Sequence, residues 1–335
     1  MKKRLFVIIL ALIFVITACG QSTDKKEDQA SESKELKKVT LVLDYVPNTN
    51  HTGIYVANKL GFFKEEGLEL EIVQPPEDGA ESLVAAGKAQ FGVSYQDTIA
   101  PAYAQESPIP VTHVAALVQH NTSGIITLKE KNVTSPKDME GLRYATWDNP
   151  TEQAIIKNVV EKDGGDFKKV NMVPSSTTDV FTGLKTDMDA VWIFYAWDGI
   201  AAKVKGIDTN YFAFKDINPV FDYYTPTLIT SNEISEKDPE LVKSFLRATK
   251  RGYEYAIQKP EEAANILVEL NPEIDKEIAI ESQKYLANEY VADAKKWGEF
   301  DAERWNSFYA WLYENNLIEK EIPKDFGFTN EFLPE

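Results

Sequence analysis

The chain has 335 residues, with 53 Asp and Glu against 36 Lys and Arg, giving a formal net charge of -17 at neutral pH. So acidic a body argues against nucleic acid and other large polyanions as partners. Its single cysteine excludes an intrachain disulfide and any cysteine-built metal or iron–sulfur centre.

The first residues point to export. Lys2, Lys3 and Arg4 precede an unbroken apolar run from Leu5 to Ile16. That run is shorter than the roughly 20 residues needed to span a bilayer, and it fits the roughly 7–15 residues of a secretory h-region. Ile16-Thr17-Ala18-Cys19 resembles the bacterial lipobox, in which cleavage falls before the cysteine and the cysteine carries lipid. Residues 1–18 are therefore expected to be a signal peptide, with Cys19 the lipidated residue. Residues 19–37 are Ser-, Lys-, Glu- and Asp-rich and lack aromatics. Such a stretch buries too little apolar surface to offset its entropy and reads as a flexible tether. The expected location is the extracytoplasmic face of the cell membrane, with the membrane contacted through the lipid alone.

Beyond the tether, short apolar strands alternate with helices, the pattern of βαβ units and largely parallel sheets. A strand over Val39–Leu43 runs into Asp44-Tyr45-Val46-Pro47-Asn48-Thr49-Asn50-His51, then a helix over Thr52–Leu60 that Gly61 can end. One helix cap does not need Asp, Tyr, two Asn and His together, so Asp44, Tyr45, Asn48 and His51 are candidate ligand contacts. Leu68–Val73 alternates apolar and acidic residues as a half-buried strand. A helix over Gly79–Gly87, a strand over Phe91–Ser94 and a helix over Asp97–Gln105 follow. Asp97 reads as the cap of the last, and Tyr95 as the side chain aimed at a cleft. After a strand over Val111–Val118, Gln119-His120-Asn121-Thr122-Ser123 forms either a hinge or a hydrogen-bonding wall, with Asn121 the candidate contact; Ile125–Leu128 is expected to begin a crossing into a second lobe.

The second series comprises a strand over Arg143–Ala145, a helix over Thr151–Lys162, a strand over Val170–Val173, a helix over Thr178–Thr186 and a strand over Ala190–Ile193. Asn149 and Pro150 suit a helix start, which leaves Trp147 unexplained by capping. Ser175 to Thr178 is polar enough to meet a ligand but more simply caps a helix. Ala190 to Ile200 is the richest segment: Trp192 and Phe194 suit a buried strand, whereas Tyr195, Trp197 and Asp198 lie past its end, and Trp192, Tyr195, Trp197 and Asp198 are candidate ligand contacts. Tyr223 and Tyr224 add aromatics near the return crossing, before a strand over Thr227–Thr230. Aromatic faces beside a carboxylate suit a flat heterocycle with ring N–H or amino groups. Helices over Pro239–Gln258, Pro260–Leu270, Lys276–Asn288 and Ala302–Glu314 complete the chain.

An α/β unit interrupted by another and closed by a helical tail is the pattern of a two-lobed clamshell. The expected division is residues 38–128 with 226–335 as the first lobe and 129–225 as the second. Ligands of parallel sheets bind beyond the strands' carboxyl ends.

The run Asp44 to Ala57, followed by Gly61-Phe62-Phe63-Lys64-Glu65-Glu66-Gly67-Leu68, resembles the NMT1/THI5-like family, and within it the ThiY-type pyrimidine-precursor binders of thiamine salvage. Gln119 to Gly124, Trp147 with Pro150-Thr151-Glu152, and Tyr195 with Trp197-Asp198-Gly199-Ile200 extend the match. The resemblance implies a periplasmic-binding-protein type II fold, mostly parallel sheets, and an aminopyrimidine ligand such as a formylaminopyrimidine or hydroxymethylpyrimidine. It also implies an ABC permease and ATPase on other chains, and a monomer. Trp197-Asp198 departs from the Trp-Glu pair associated with the family, and riboflavin, sulfonate and nitrate binders share similar scaffolds. The family's fungal pyrimidine synthases use iron and a cysteine-rich motif, with a histidine in the first loop, where His51 stands here. Cys19 is the only cysteine of this chain, so that motif has no counterpart. Walker A, GxSxG and HExxH motifs do not occur. The sequence calls for no catalytic residue, metal or cofactor.

Overall fold

The computed structural model describes residues 35–77, 79–175 and 179–335. The expected signal peptide, Cys19, most of the tether, and Ser176 to Thr178 lie outside the described residues. Among those described, no helix is long and apolar enough to cross a membrane.

In chain order the first lobe begins with β1 (Lys37–Val42), α1 (Thr52–Lys59), α2 (Phe62–Glu65), β2 (Leu68–Val73), α3 (Gly79–Ala85), β3 (Phe91–Ser94), α4 (Gln96–Tyr103) and β4 (Val111–Ala116). The second lobe follows with β5 (Ser123–Leu128), β6 (Arg143–Thr146), α5 (Pro150–Lys162), β7 (Asn171–Pro174), α6 (Val180–Thr186), β8 (Ala190–Phe194), α7 (Ile200–Val204), β9 (Thr209–Ala213) and α8 (Phe214–Ile217). The chain then returns through β10 (Thr227–Ser231), α9 (Asn232–Lys237), α10 (Pro239–Gln258), α11 (Pro260–Leu270), α12 (Lys276–Glu289) and α13 (Ala302–Glu314).

Two five-stranded sheets result, in the orders β2-β1-β3-β10-β4 and β7-β6-β8-β5-β9. In each, three strands run parallel, and the strand that follows a crossing enters reversed. β10 pairs antiparallel with β3 and β4, and β5 pairs antiparallel with β8 and β9. Four of five strands in each sheet thus share a direction, while half of the pairings are antiparallel. This is the α/β two-lobed clamshell with the helical C-terminal region that the sequence indicated.

Two expectations need correction. Ser123–Leu128 does not begin the crossing but is a fully buried strand of the second sheet, hydrogen-bonded to β8 and β9. The outward crossing therefore precedes residue 123, because the apolar run from Ile125 to Leu128 is satisfied by sheet burial on both sides. The strand Thr209–Ala213, half-buried throughout, was not expected.

The crossings locate the cleft. Thr227 of β10 pairs with Ser94, the last residue of β3, and Ser123 of β5 pairs with Phe194, the last residue of β8. Each crossing thus enters its sheet beside a carboxyl end, so the chain passes between the lobes at the edge where ligands of such sheets bind. Under the first sheet, α1 and α10 approach closely: a Cβ on Gly53 would lie 2.3 Å from the Tyr253 ring, and one on Gly252 1.9 Å from the Gly53 carbonyl oxygen. The glycine of the first motif is therefore needed for helix contact.

Candidate functional site

At the carboxyl ends of the adjacent strands β1 and β3, Asp44 and Tyr95 meet. Asp44 is held on both oxygens: His51 Nε2 lies 2.6 Å from Oδ1, and the Tyr95 hydroxyl donates to Oδ2. The Asn48 backbone N–H donates to His51 Nδ1 at 3.2 Å, which leaves the ring proton on Nε2, directed at the carboxylate. Burial pushes the Asp44 carboxyl up, but the electrostatic attraction and hydrogen bond of His51, together with the Tyr95 hydroxyl, outweigh it and hold the group below the usual value. Asp44 is thus an ionised acceptor with further lone pairs. Burial, reinforced by Asp44, raises the Tyr95 hydroxyl far above its ordinary value and keeps it a neutral donor.

The remainder of the first motif builds this arrangement. Asn48 caps the short turn Thr49–His51, its side chain accepting from the Asn50 N–H while His51 reaches back to the Asn48 N–H. Thr49 and His51 are fully buried. The Tyr253 and Tyr290 hydroxyls donate to the carbonyls of Asn50 and Thr49 at 2.6 and 2.7 Å. Asn48 and His51 therefore orient Asp44 from behind, whereas Tyr45 is 62 % exposed at the lip.

Two further carboxylates, Glu81 and Asp97, lie near enough to act on Tyr95. Ser94 at the end of β3 donates to Glu81 in the first turn of α3. Asp97 takes the N–H groups of Asp97 and Thr98 and lies 3.3 Å from the Tyr223 hydroxyl; burial pushes it up to about 6. It sits inside the first turn of α4 rather than at the cap, which is Tyr95. Glu81 and Ser94 escaped the sequence reading, although the loop after β2 is also a strand-end loop and could have been inspected for that reason.

In the second lobe, Asn149 caps α5 through the N–H groups of Thr151 and Glu152, with Pro150 in the first turn, as expected. Buried Glu152 accepts from the hydroxyls of Tyr144 and Thr146, both at 2.8 Å, and from the Trp147 N–H at 3.0 Å. These bonds fix the Trp147 backbone while its indole stays 56 % exposed, 5.5 Å from the Trp192 ring. Past β8 the chain forms a single π-helical turn, Tyr195–Gly199, a feature frequent at functional sites. Burial pushes Asp198 in this turn up to about 6, opposed by the N–H groups of Phe194 and Asp198 and by Lys205. Trp197 packs against the cores of both lobes. Tyr195 packs between Tyr211 and Tyr285, at 4.7 and 5.3 Å.

Several expected contacts are architectural instead. Trp192 is buried against Phe214, at 4.3 Å. Tyr223 stacks on Phe308 at 4.1 Å, and the Tyr224 hydroxyl accepts from the Asp301 N–H. Asn121 joins the two crossings, donating to the Phe221 carbonyl and accepting from the Ser123 N–H, both at 2.9 Å. All four are at least nine-tenths buried: Trp192 within β8 against α8, and Asn121, Tyr223 and Tyr224 in crossings that are themselves core.

Seven of the eight loops at strand carboxyl ends on these edges, residues 43–51, 74–78, 95, 117–122, 147–149, 175–179 and 195–199, contain no Lys or Arg, whereas β9 runs directly into α8 with Lys215. These seven and the helix starts beside them carry Asp44, Glu77, Asp78, Glu81, Asp97, Asp148, Glu152, Asp179 and Asp198. The arrangement offers acceptors and aromatic faces, while cations reach its margins: Arg304 donates to the Gln119 carbonyl and Lys205 acts on Asp198.

Known proteins resemble this chain along its length. The formylaminopyrimidine-binding protein of Halalkalibacterium halodurans is 29% identical over 98% of this chain and 99% of its own. The 4-amino-5-hydroxymethyl-2-methylpyrimidine phosphate synthase of Legionella pneumophila is 28% identical over 89% and 93%. Among solved structures, the alkanesulfonate-binding protein SsuA of Xanthomonas axonopodis pv. citri, bound to MOPS, aligns with a TM-score of 0.67 at 10% identity, covering 88% of this chain and 99% of its own. At that identity the likeness concerns the fold. The family model described as NMT1/THI5 like matches residues 48–263, from the cap of the first loop to α11, and this chain belongs to the NMT1/THI5-like family.

Proposed function

We propose that this chain is an extracytoplasmic solute-binding protein of an ABC importer, anchored through Cys19, that captures an aminopyrimidine precursor of thiamine. The observation that carries the ligand class is the pairing of carboxylates at Asp44 and Asp198 with aromatic faces at Tyr45, Trp147 and Trp197 at the strand ends. A sulfonate or nitrate placed against Asp44 would meet a carboxylate rather than a cation. A ring bearing amino and N–H groups finds ionised Asp44 to donate to and indole faces to stack on. The relative that binds formylaminopyrimidine supports this choice over the anion carried by the structural neighbour.

Binding is favoured over synthesis although the family includes synthases, since the cysteine-rich iron motif associated with them has no counterpart in a chain whose only cysteine is Cys19. Closure follows from the two-lobed site: Asp44 and Tyr95 hold the ring from one side, Trp147 and the π turn from the other. Only a ligand touching both shifts the equilibrium to the closed form, which a permease with its ATPase on other chains would read.

The test is titration calorimetry on protein stripped of co-purifying ligand by unfolding and refolding. Hydroxymethyl- or formylaminomethyl-aminopyrimidine is expected to bind, with taurine, nitrate and riboflavin giving little heat. Equal heats for taurine would overturn the proposal.

A further inference from the structure

Hydrogen-bonding groups from three distant parts of the chain meet at one buried hydroxyl of α12. Ser282 Oγ lies 2.6 Å from Thr49 Oγ1 and donates to the Ala196 carbonyl. A serine hydroxyl has one proton to give. The Ala196 carbonyl can only accept, so Ser282 spends its proton there and must receive that of Thr49. The polarity of the chain Thr49 to Ser282 to Ala196 is thereby set.

Each end belongs to one half of the ligand site. Thr49 opens the turn in which Asn48 and His51 orient Asp44, and Ala196 lies in the π turn that carries Trp197 and Asp198. Helix α12 is shared in the same way: Ile278 enters the second-lobe core with Phe181 and Val191, while Ala279 and Leu286 join the first-lobe core. We propose that Ser282 is a positioning residue, a buried relay that registers the Asp44 turn against the Trp197–Asp198 turn and holds the closed geometry without meeting the ligand. The inference rests on the binding site proposed above.

The experiment compares the full chain with its Ser282→Ala and Thr49→Val variants, and with the double variant, by two readouts. The first is amide hydrogen exchange of the unliganded protein. Ser282→Ala is expected to raise exchange about fivefold or more in both residues 49–51 and 195–199 while leaving α10 unchanged; Thr49→Val does the same, and the double variant is no worse, because the relay is broken once. The second is stopped-flow release of 4-amino-5-hydroxymethyl-2-methylpyrimidine, expected about tenfold faster with association altered less than twofold. Exchange that rises evenly over the chain or at one end only overturns the proposal, as does additive behaviour of the two variants or an unchanged release rate. A wild-type chain that binds no aminopyrimidine refutes the functional reading instead; the exchange data from unliganded protein then decide the relay alone.

Discussion

Replacing Asp44 with Asn probes the centre of the site with almost no change of volume. The carboxylate accepts from His51 Nε2 at 2.6 Å and from the Tyr95 hydroxyl. Because the Asn48 N–H occupies His51 Nδ1, the ring goes on donating from Nε2, so the amide must turn its oxygen towards His51. Its NH2 group then faces the Tyr95 hydroxyl, which has to rotate and become an acceptor. Hydrogen bonds to charged groups contribute about 1.5–3 kcal/mol and neutral ones about 1 kcal/mol, so the unliganded protein should lose about 1–3 kcal/mol of stability. A ligand amino group loses the same charged acceptor, for a further about 1.5–3 kcal/mol, or roughly 10- to 150-fold in Kd. The pH dependence has a definite sign. The Asp44 carboxyl is depressed in the folded protein, so its stabilisation is present above the ordinary carboxylate range and disappears as pH falls through the depressed value. The stability gap between wild type and Asp44→Asn should therefore be full at pH 7 and shrink on acidification below about pH 4. Calorimetry with the hydroxymethyl aminopyrimidine and thermal melts from pH 7.5 to 3.5 measure both. Unaltered affinity, or a gap independent of pH, would refute the account of Asp44.

Trp147→Ala should weaken the ligand by about 1–2 kcal/mol, the scale of an aromatic contact with its buried area, and leave the melting temperature of the unliganded protein nearly unchanged, since the indole is 56 % exposed; a large loss of stability with intact affinity would make it a core residue. Asp198 is raised to about 6 by burial, so its ionisation costs folding free energy as pH rises from about 4 to above 6. Asp198→Asn should therefore gain about 1–3 kcal/mol on wild type at pH 7.5 and little at pH 4, and melts showing the same difference at both pH values contradict this. Cys19→Ser should release the protein from membranes into the medium without changing ligand affinity; a variant still membrane-bound after salt washing removes the lipid anchor from the proposal.

The alternation of short strands and helices was legible residue by residue. β2, β3, α10, α11 and α13 have the bounds their patterns predict, because apolar periodicity, Pro at helix starts and Asp or Asn caps act within a few residues. The crossing was misplaced for a related reason: an apolar run such as Ile125–Leu128 states that it is buried but not in which sheet, which depends on partners more than sixty residues away.

The same division holds at the site. Composition and spacing marked Asp44, Tyr95, Trp147 and the aromatic segment after β8, as polar or aromatic residues at strand ends that capping does not explain. Which of them a ligand can reach was a tertiary matter. His51 is buried behind Asp44 and Asn48 caps its turn, while Trp192 is taken up by the packing of β8, and Asn121, Tyr223 and Tyr224 by that of the crossings. Glu81 and Ser282 entered only through their partners Ser94, Thr49 and Ala196. A hydroxyl or carboxylate on a helix looks alike in sequence whether it faces water or another element; the sequence alone determines that the group can hydrogen-bond, and the fold decides with what.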